Sequence, residues 1–331
     1  MRAPRFWESG RGSLAGPLLA PAAAVWTAVT RRRLARGTWA AAERPVICVG
    51  NLTVGGTGKT PAVIAIVERL AARRLAVAVV TRGYGGRLVG PVRVEPGRHG
   101  ADEVGDEALL MAGWAPVWVG RDRAAAAHQA VEAGAEVVVL DDGFQNPGLA
   151  KDVSVVVVDA EQGFGNGRVV PAGPLREPVA DGLARADLVL LVGETPGRLV
   201  AEHPALGRLP MMTGRIVPLA TGMPWQGLRV LAFAGIGRPE KAFATLRGLG
   251  AEVVQTRSFG DHEPYGRTIL ERLATEARSL GAQLVTTEKD AVRLPDDFRR
   301  QVLVLPVRMA IDDWGPFDAA VAPLLPPAEA G

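Results

Sequence analysis

The sequence is short of several things, and each shortage excludes a class of protein. A single cysteine, Cys48, in 331 residues leaves no internal disulfide framework. Its place inside an apolar run predicts a buried, unreactive thiol in a reducing compartment. Lysine is scarce, with four lysines against 34 arginines. The arginines are scattered rather than gathered in one basic arm, so no nucleic acid partner is expected. There is no internal repeat, no long run of like charge, and no apolar stretch of the roughly 20 residues that a membrane-spanning helix needs.

What is present reads as a folded chain long enough for two domains, with 48% hydrophobic and 22% charged residues. Charge is unevenly placed. Residues 1–44 hold eight Arg and two Glu, a charge of +6 against a chain total of +3, so the remainder is mildly acidic. Within that segment SLAGPLLAPAAAVWTAV, residues 13–29, is apolar and is followed by Arg31, Arg32, Arg33 and Arg36. A secretory signal is disfavoured because arginines follow the run where a cleavage site belongs. Two readings remain, a buried helix of the main domain and a helix lying in the cytoplasmic leaflet. The second is preferred, with Phe6, Trp7 and Trp26 at the interface and the arginines against anionic headgroups.

The strongest signal is VICVGNLTVGGTGKT, residues 46–60. Its apolar start suits a buried parallel strand, and TPAVIAIVERLAARR from Thr60 has apolar residues at helical spacing. Strand, glycine loop and helix make a phosphate-binding loop: a helix N-terminus leaves N–H groups unpaired, and glycines let them close round phosphate oxygens. The expected nucleotide contacts are Thr53, Val54, Gly55, Gly56, Thr57, Gly58, Lys59 and Thr60. Lys59 serves the β- and γ-phosphates and Thr60 offers a hydroxyl to Mg²⁺. Thr53 stands where G-x-x-x-x-G-K-[ST] has its first glycine, while Gly55 and Gly56 supply flexibility within the loop.

Further apolar runs predict strands at 75–81, 114–119, 136–142, 153–160 and 186–193. Alternating with helices, they imply an α/β fold of the P-loop type, a parallel sheet covered on both faces. A shift to proline, glycine and tryptophan near 218–227 suggests a boundary. The expected organisation is a membrane-associated segment 1–44, a P-loop kinase domain 45–222 and a smaller α/β domain 223–331 with a frayed tail. In VVVLDDGFQN, residues 137–146, Asp141 or Asp142 ends a hydrophobic strand as a Walker B acid does, binding Mg²⁺ directly or through water. Two regulatory classes fit poorly. A MinD-type switch ATPase would carry lysine at Val54, and a GTPase would carry N-K-x-D, whereas TTEKDAV has Lys289 and Asp290 adjacent, read here as a structural pair.

GNLTVGGTGKTP, TRGYGG, VGDEALL, LDDGFQ, VVDA, PAGPLREP, FGDHEPY and TTEKDAV, in this order and spacing, resemble the tetraacyldisaccharide 4'-kinases, the lipid A 4'-kinases of Gram-negative bacteria. The resemblance runs to about residue 294. It implies ATP and Mg²⁺ as cofactors and a tetraacyldisaccharide 1-phosphate lipid A precursor as acceptor at its 4'-hydroxyl. It also implies a peripheral or monotopic enzyme on the cytoplasmic face of the inner membrane, meeting the lipid surface with no obligate protein partner. Carried over by residue, the catalytic aspartate falls on Asp106 with Glu107 beside it, and the histidine of the DH segment on His262. Tyr84, Gln145, Arg176 and Glu177 match active-site positions, Gln145 on the metal side. Asn146 stands where a histidine is usual.

The chemistry agrees with these roles. A sugar hydroxyl is a poor nucleophile, so a carboxylate such as Asp106 must take its proton, with His262 orienting or sharing it and Arg176 turned toward the phosphate. Because His262 belongs to the second domain, closure would assemble the site. Taken alone, Asp106 reads first as an N-cap, and His262 also reads as a loop histidine bonded to backbone and Arg176 as a surface ion pair. The alternative from another class is a membrane-associated P-loop ATPase that switches a protein partner.

Overall fold

Valine-rich runs, apolar but for Ser154 and the closing Asp141 and Asp159, become the middle of one large sheet. Ile47 and Val49 enter the hydrophobic cluster on one face, while Val46 and Cys48 enter the cluster on the other, so both faces are covered. The computed structural model describes residues 4–8, 15–193, 196–261 and 263–325. His262, Ser13 at the head of the apolar run, and the tail 326–331 lie outside the described residues.

Eight strands come first: β1 (Val46–Gly50), β2 (Val77–Thr81), β3 (Val92–Arg93), β4 (Val117–Val119), β5 (Val137–Asp141), β6 (Val153–Asp159), β7 (Leu188–Val192) and β8 (Met211–Pro218). Then follow β9 (Arg229–Ala234), β10 (Glu252–Ser258), β11 (Gln283–Thr287), β12 (Leu303–Leu305) and β13 (Val307–Ile311). The large sheet has the order β13-β8-β7-β6-β1-β5-β2-β4-β3. It is parallel inside, with β3 and β13 antiparallel at its edges. The small sheet, β10-β9-β11-β12, is parallel throughout. Leu231 and Phe233 face one apolar cluster in the small lobe, and Val230, Ala232 and Ala234 face another.

The expected domain 223–331 needs a correction. The chain leaves the small lobe after β12: β13 pairs with β8, and the helix Gly315–Val321 buries Phe317 and Val321 beside the P-loop helix Lys59–Ala71. Arg69 of that helix pairs with Asp318. The cause is packing. Strand β8 was not anticipated because MMTGRIVP mixes methionine, glycine and arginine, and without β13 it would be an open edge beside apolar Met212. The two crossings between lobes lie side by side, with Leu219 N–H donating to the Pro306 carbonyl at 2.9 Å.

Candidate active site

The sheet presents the carboxyl ends of β1 and β5 at one edge, with the glycine loop between β1 and the helix Lys59–Ala71. Gly58 caps that helix at φ +89°, a left-handed conformation suited to glycine, and no side chain occupies the cap. The first-turn amides are thus left for a ligand. Buried Asn51 clamps the loop by donating from Nδ2 to Thr57 Oγ1 at 3.1 Å. A neighbouring segment pins it from outside: Val54 N–H donates to the Pro174 carbonyl at 2.8 Å, and Arg176 N–H to the Leu52 carbonyl at 2.7 Å. Thr53 fits in place of glycine because it bridges Leu175 in an antiparallel pair and has no positive φ.

Asp141 and Asp142 are adjacent yet held in opposite states. Asp142 sits at φ +51°, a left-handed conformation that aspartate tolerates. Its carboxylate lies 3.3 Å from Lys59 Nζ and 2.9 Å from Arg176. Burial alone would push this carboxyl up, but Lys59 and Arg176 outweigh it and hold the group below the usual carboxylate range. Asp141, fully buried at the end of β5, accepts from Thr81 Oγ1 at 2.8 Å on Oδ2, while Oδ1 has no hydrogen-bond partner among the described residues. Burial, then repulsion by Glu107 and Asp142, pushes it up to about 7.

One expectation widens here and another changes. Gln145, expected on the metal, donates from Nε2 to the Asn51 carbonyl at 2.8 Å and to Glu177 at 3.0 Å. Its amide joins the loop to the PLREP segment. Glu177, expected at the substrate, has a side chain only 1% exposed and takes two hydrogen bonds from Arg185 at 2.8 Å. Its charge is matched by a half-buried cation, which a buried carboxylate needs.

Asp106 opens the helix Asp106–Met111 after Gly105, whose φ of +89° brings it so near the Tyr84 carbonyl that an added Cβ would lie 2.6 Å from that oxygen. Gly105, not Asp106, occupies the cap position, so the capping alternative does not describe this residue. Asp106 is buried, accepts from Glu107 N–H at 2.8 Å, and lies 3.6 Å from Arg293 of the small lobe. Glu107, expected at the substrate, pairs with Lys289 at 3.1 Å. Tyr84 stands exposed on the neighbouring turn.

The expected Lys289–Asp290 pair is also corrected. Lys289 reaches Glu107 and, at 3.4 Å, Asp261. Asp290 instead accepts from Gly235 N–H at 2.9 Å and Tyr265 Oη at 2.7 Å, and pairs with Arg293. Asn51, Arg185, Lys289 and Arg293 are the residues around the site that sequence reasoning did not assign to it. Asn51 and Lys289 had a visible signal, their places in GNLTVGGTGKTP and TTEKDAV.

The amino-terminal helix Ala20–Ala35 lies beside this site. Trp26 Nε1 donates to the Arg176 carbonyl at 3.0 Å, and Trp7 Nε1 to the Pro171 carbonyl at 3.1 Å. Arg31, expected on lipid headgroups, is paired with Asp181 at 2.6 Å. A cavity of about 280 Å³ separates helix and PLREP segment, lined by Thr27, Thr30, Arg31, Glu177 and Arg185. Ala23, Thr30 and Leu34 are buried, whereas Leu18, Val25, Trp26 and Val29 are exposed. Among the described residues no helix is long and apolar enough to cross a membrane.

A parallel sheet with a lysine-bearing loop after β1, acids after the adjacent β5 and a carboxylate pair at the mouth defines a P-loop phosphotransferase. A family model for Tetraacyldisaccharide-1-P 4'-kinase matches residues 15–325. The chain belongs to that family and is a kinase. It is 54% identical to the tetraacyldisaccharide 4'-kinase of Jannaschia sp. over 98% of this chain and 99% of that one. With its counterpart from Dinoroseobacter shibae it shares 55% over 99% of each. A crystal structure of LpxK from Aquifex aeolicus, in complex with ATP, matches at a TM-score of 0.75 and 25% identity, covering 94% of this chain and 99% of that one.

Proposed function

We propose that this chain transfers the γ-phosphoryl group of ATP to the 4'-hydroxyl of a tetraacyldisaccharide 1-phosphate lipid A precursor, with Asp106 as general base. The observation carrying this reading is the placement of a buried carboxylate, Asp106, where the two lobes meet, in a member of this kinase family. Loop amides and Lys59 bind the β- and γ-phosphates, and Arg176 steadies the charge that spreads over the transferring group. Asp106 takes the proton of the attacking hydroxyl, and His262, outside the described residues, orients it. The small lobe excludes water and limits wasteful hydrolysis.

Mg²⁺ fits the residues present. The orphaned Asp141 Oδ1 is a buried oxygen donor that a divalent cation would satisfy, and the Thr60 hydroxyl would be a second ligand. Asp142, which balances two cations, and Gln145, whose Nε2 is on the loop while Oε1 lies 3.5 Å from Arg176, would complete the donor set. When bound, the ion neutralises charge on the phosphates.

The enzyme works at the cytoplasmic face of the inner membrane, with Leu18, Val25, Trp26 and Val29 against the lipid. The exposed Arg32 and Arg36 face its headgroups, whereas Arg33, expected there, donates to the Gln145 carbonyl at 3.3 Å. The test is incubation with γ-labelled ATP, Mg²⁺ and purified acceptor in mixed micelles. Label on the disaccharide at the 4' position supports the reading. ATP turnover that is indifferent to acceptor and stimulated by a protein would replace it with the switch ATPase.

A further inference from the structure

We infer that Lys289 is a positioning residue for the kinase reaction, a cation carried by the small lobe that holds the carboxylates of the catalytic corner in place. The proposal rests on Asp106 being the base. The helix Glu288–Ala291 that bears Lys289 is fastened on three sides. Thr287 caps it by accepting from Asp290 N–H. Glu288 accepts from Val307 N–H at 3.0 Å and from Arg308 at 3.0 Å, tying it to the strand that returns to the large lobe. Asp290, fully buried, is held by Gly235, Tyr265 and Arg293. The backbone beneath Lys289 is thus fixed, and its flexible stem is held by the carboxylates the ammonium meets.

That ammonium lies between two carboxylates from opposite sides of the cleft. Glu107 of the large lobe is 3.1 Å away and Asp261 of the small lobe 3.4 Å away. Each is the chain neighbour of a residue assigned to catalysis, Asp106 and His262 respectively. The side chain is 18% exposed. Desolvation would lower its pKa, but Glu107, Asp106 and Asp261 together raise it, so it stays charged. Three carboxylates in one small volume would repel one another and drift apart, and Lys289 with Arg293 supplies the cations that keep them together. The role assigned to Lys289 is to hold the carboxylates it meets, Glu107 and Asp261, rather than to bind substrate. Its effect passes through Glu107 to the first turn of the helix that carries Asp106, whose Oδ1 already accepts from Glu107 N–H.

The test compares steady-state kinetics of Lys289→Met, Glu107→Gln and the double variant in the full-length enzyme, with thermal melting of each. The expected result is a fall in kcat of about a hundredfold for Lys289→Met, the scale of a misplaced catalytic group, with KM for ATP within about threefold of wild type. The double variant should be no slower than the slower single variant, because the two act through each other. Unchanged kcat in Lys289→Met, losses that multiply in the double variant, or a fall in kcat matched by an equal rise in KM for ATP would each overturn the proposal. If Lys289→Met does not fold, the proposal stands or falls on whether Glu107→Gln, which keeps shape, loses kcat with native melting. Asp106→Asn run in parallel separates the two assignments. Full turnover there overturns the base itself, whereas loss there with wild-type turnover in Lys289→Met overturns only the role given to Lys289.

Discussion

Charge is buried in opposite senses at two places in the cleft. Beside the glycine loop one carboxylate, Asp142, is held by two cations, Lys59 and Arg176. Where the lobes meet, one cation, Lys289, is held by two carboxylates, Glu107 and Asp261, with Asp106 close by. The first cluster is cation-rich and suits an incoming phosphate. The second is rich in carboxylate and suits a group that must accept a proton. A kinase needs both, and it must keep them from neutralising each other, which the division between a loop on the large sheet and a helix corner against the small lobe achieves.

The largest break is expected in the second cluster. Asp106→Asn keeps size but removes basicity, and turnover should fall by roughly 10²–10⁴-fold with ATP binding little changed, as measured by kinetics beside equilibrium nucleotide binding. Loss of stability at normal specific activity would assign Asp106 a structural role instead. In the first cluster Lys59→Ala removes one of the two cations, and turnover should fall by roughly 10²–10³-fold with the melting temperature nearly unchanged. A variant that folds and turns over normally would remove the lysine from the phosphate site.

A smaller effect separates the two adjacent aspartates. Asp141 is raised from 3.8 to about 7 by burial and by Glu107 and Asp142. A carboxyl raised on folding contributes stability that is fully present below pH 4 and is lost as pH rises through 7, since the folded state then gives up a proton it held more tightly. Metal-free protein should therefore gain stability in Asp141→Asn at pH 8, by on the order of a few kcal/mol, and by less than half as much at pH 5. Mg²⁺ with nucleotide should shrink the difference. Denaturant melts at both pH values check this, and a variant less stable at pH 8 would mean the carboxylate is already satisfied.

The smallest effects lie outside both clusters. Arg31→Gln breaks an exposed pair with Asp181 and should leave melting and turnover nearly unchanged. Val25→Gln with Val29→Gln should weaken vesicle binding while sparing ATP affinity in detergent, read by flotation and nucleotide titration. Equal flotation of this double variant would show that the exposed apolar face is not what meets lipid.

The loop 46–60 was legible because its chemistry is local. Strand, glycines, lysine and helix lie within one short stretch, and the conformations they need depend on neighbours in sequence. The Val and Leu runs of β1, β5, β6 and β7 were legible for a similar reason, since strands covered on both faces are apolar almost throughout, Ser154 and the closing Asp141 and Asp159 excepted. Strands β8 and β13 carried no such mark: both are partly exposed near the edge, where packing rather than composition selects the pairing. Side-chain partners were hidden altogether. Glu107 and Lys289 are 182 residues apart, and nothing near either one names the other. Sequence alone determined that a phosphate loop follows a buried strand and that a carboxylate pair and an acidic strand end accompany it. Only the tertiary structure decided which charges meet, because a buried ion pair depends on how two separately packed lobes bring distant helices within a few ångströms.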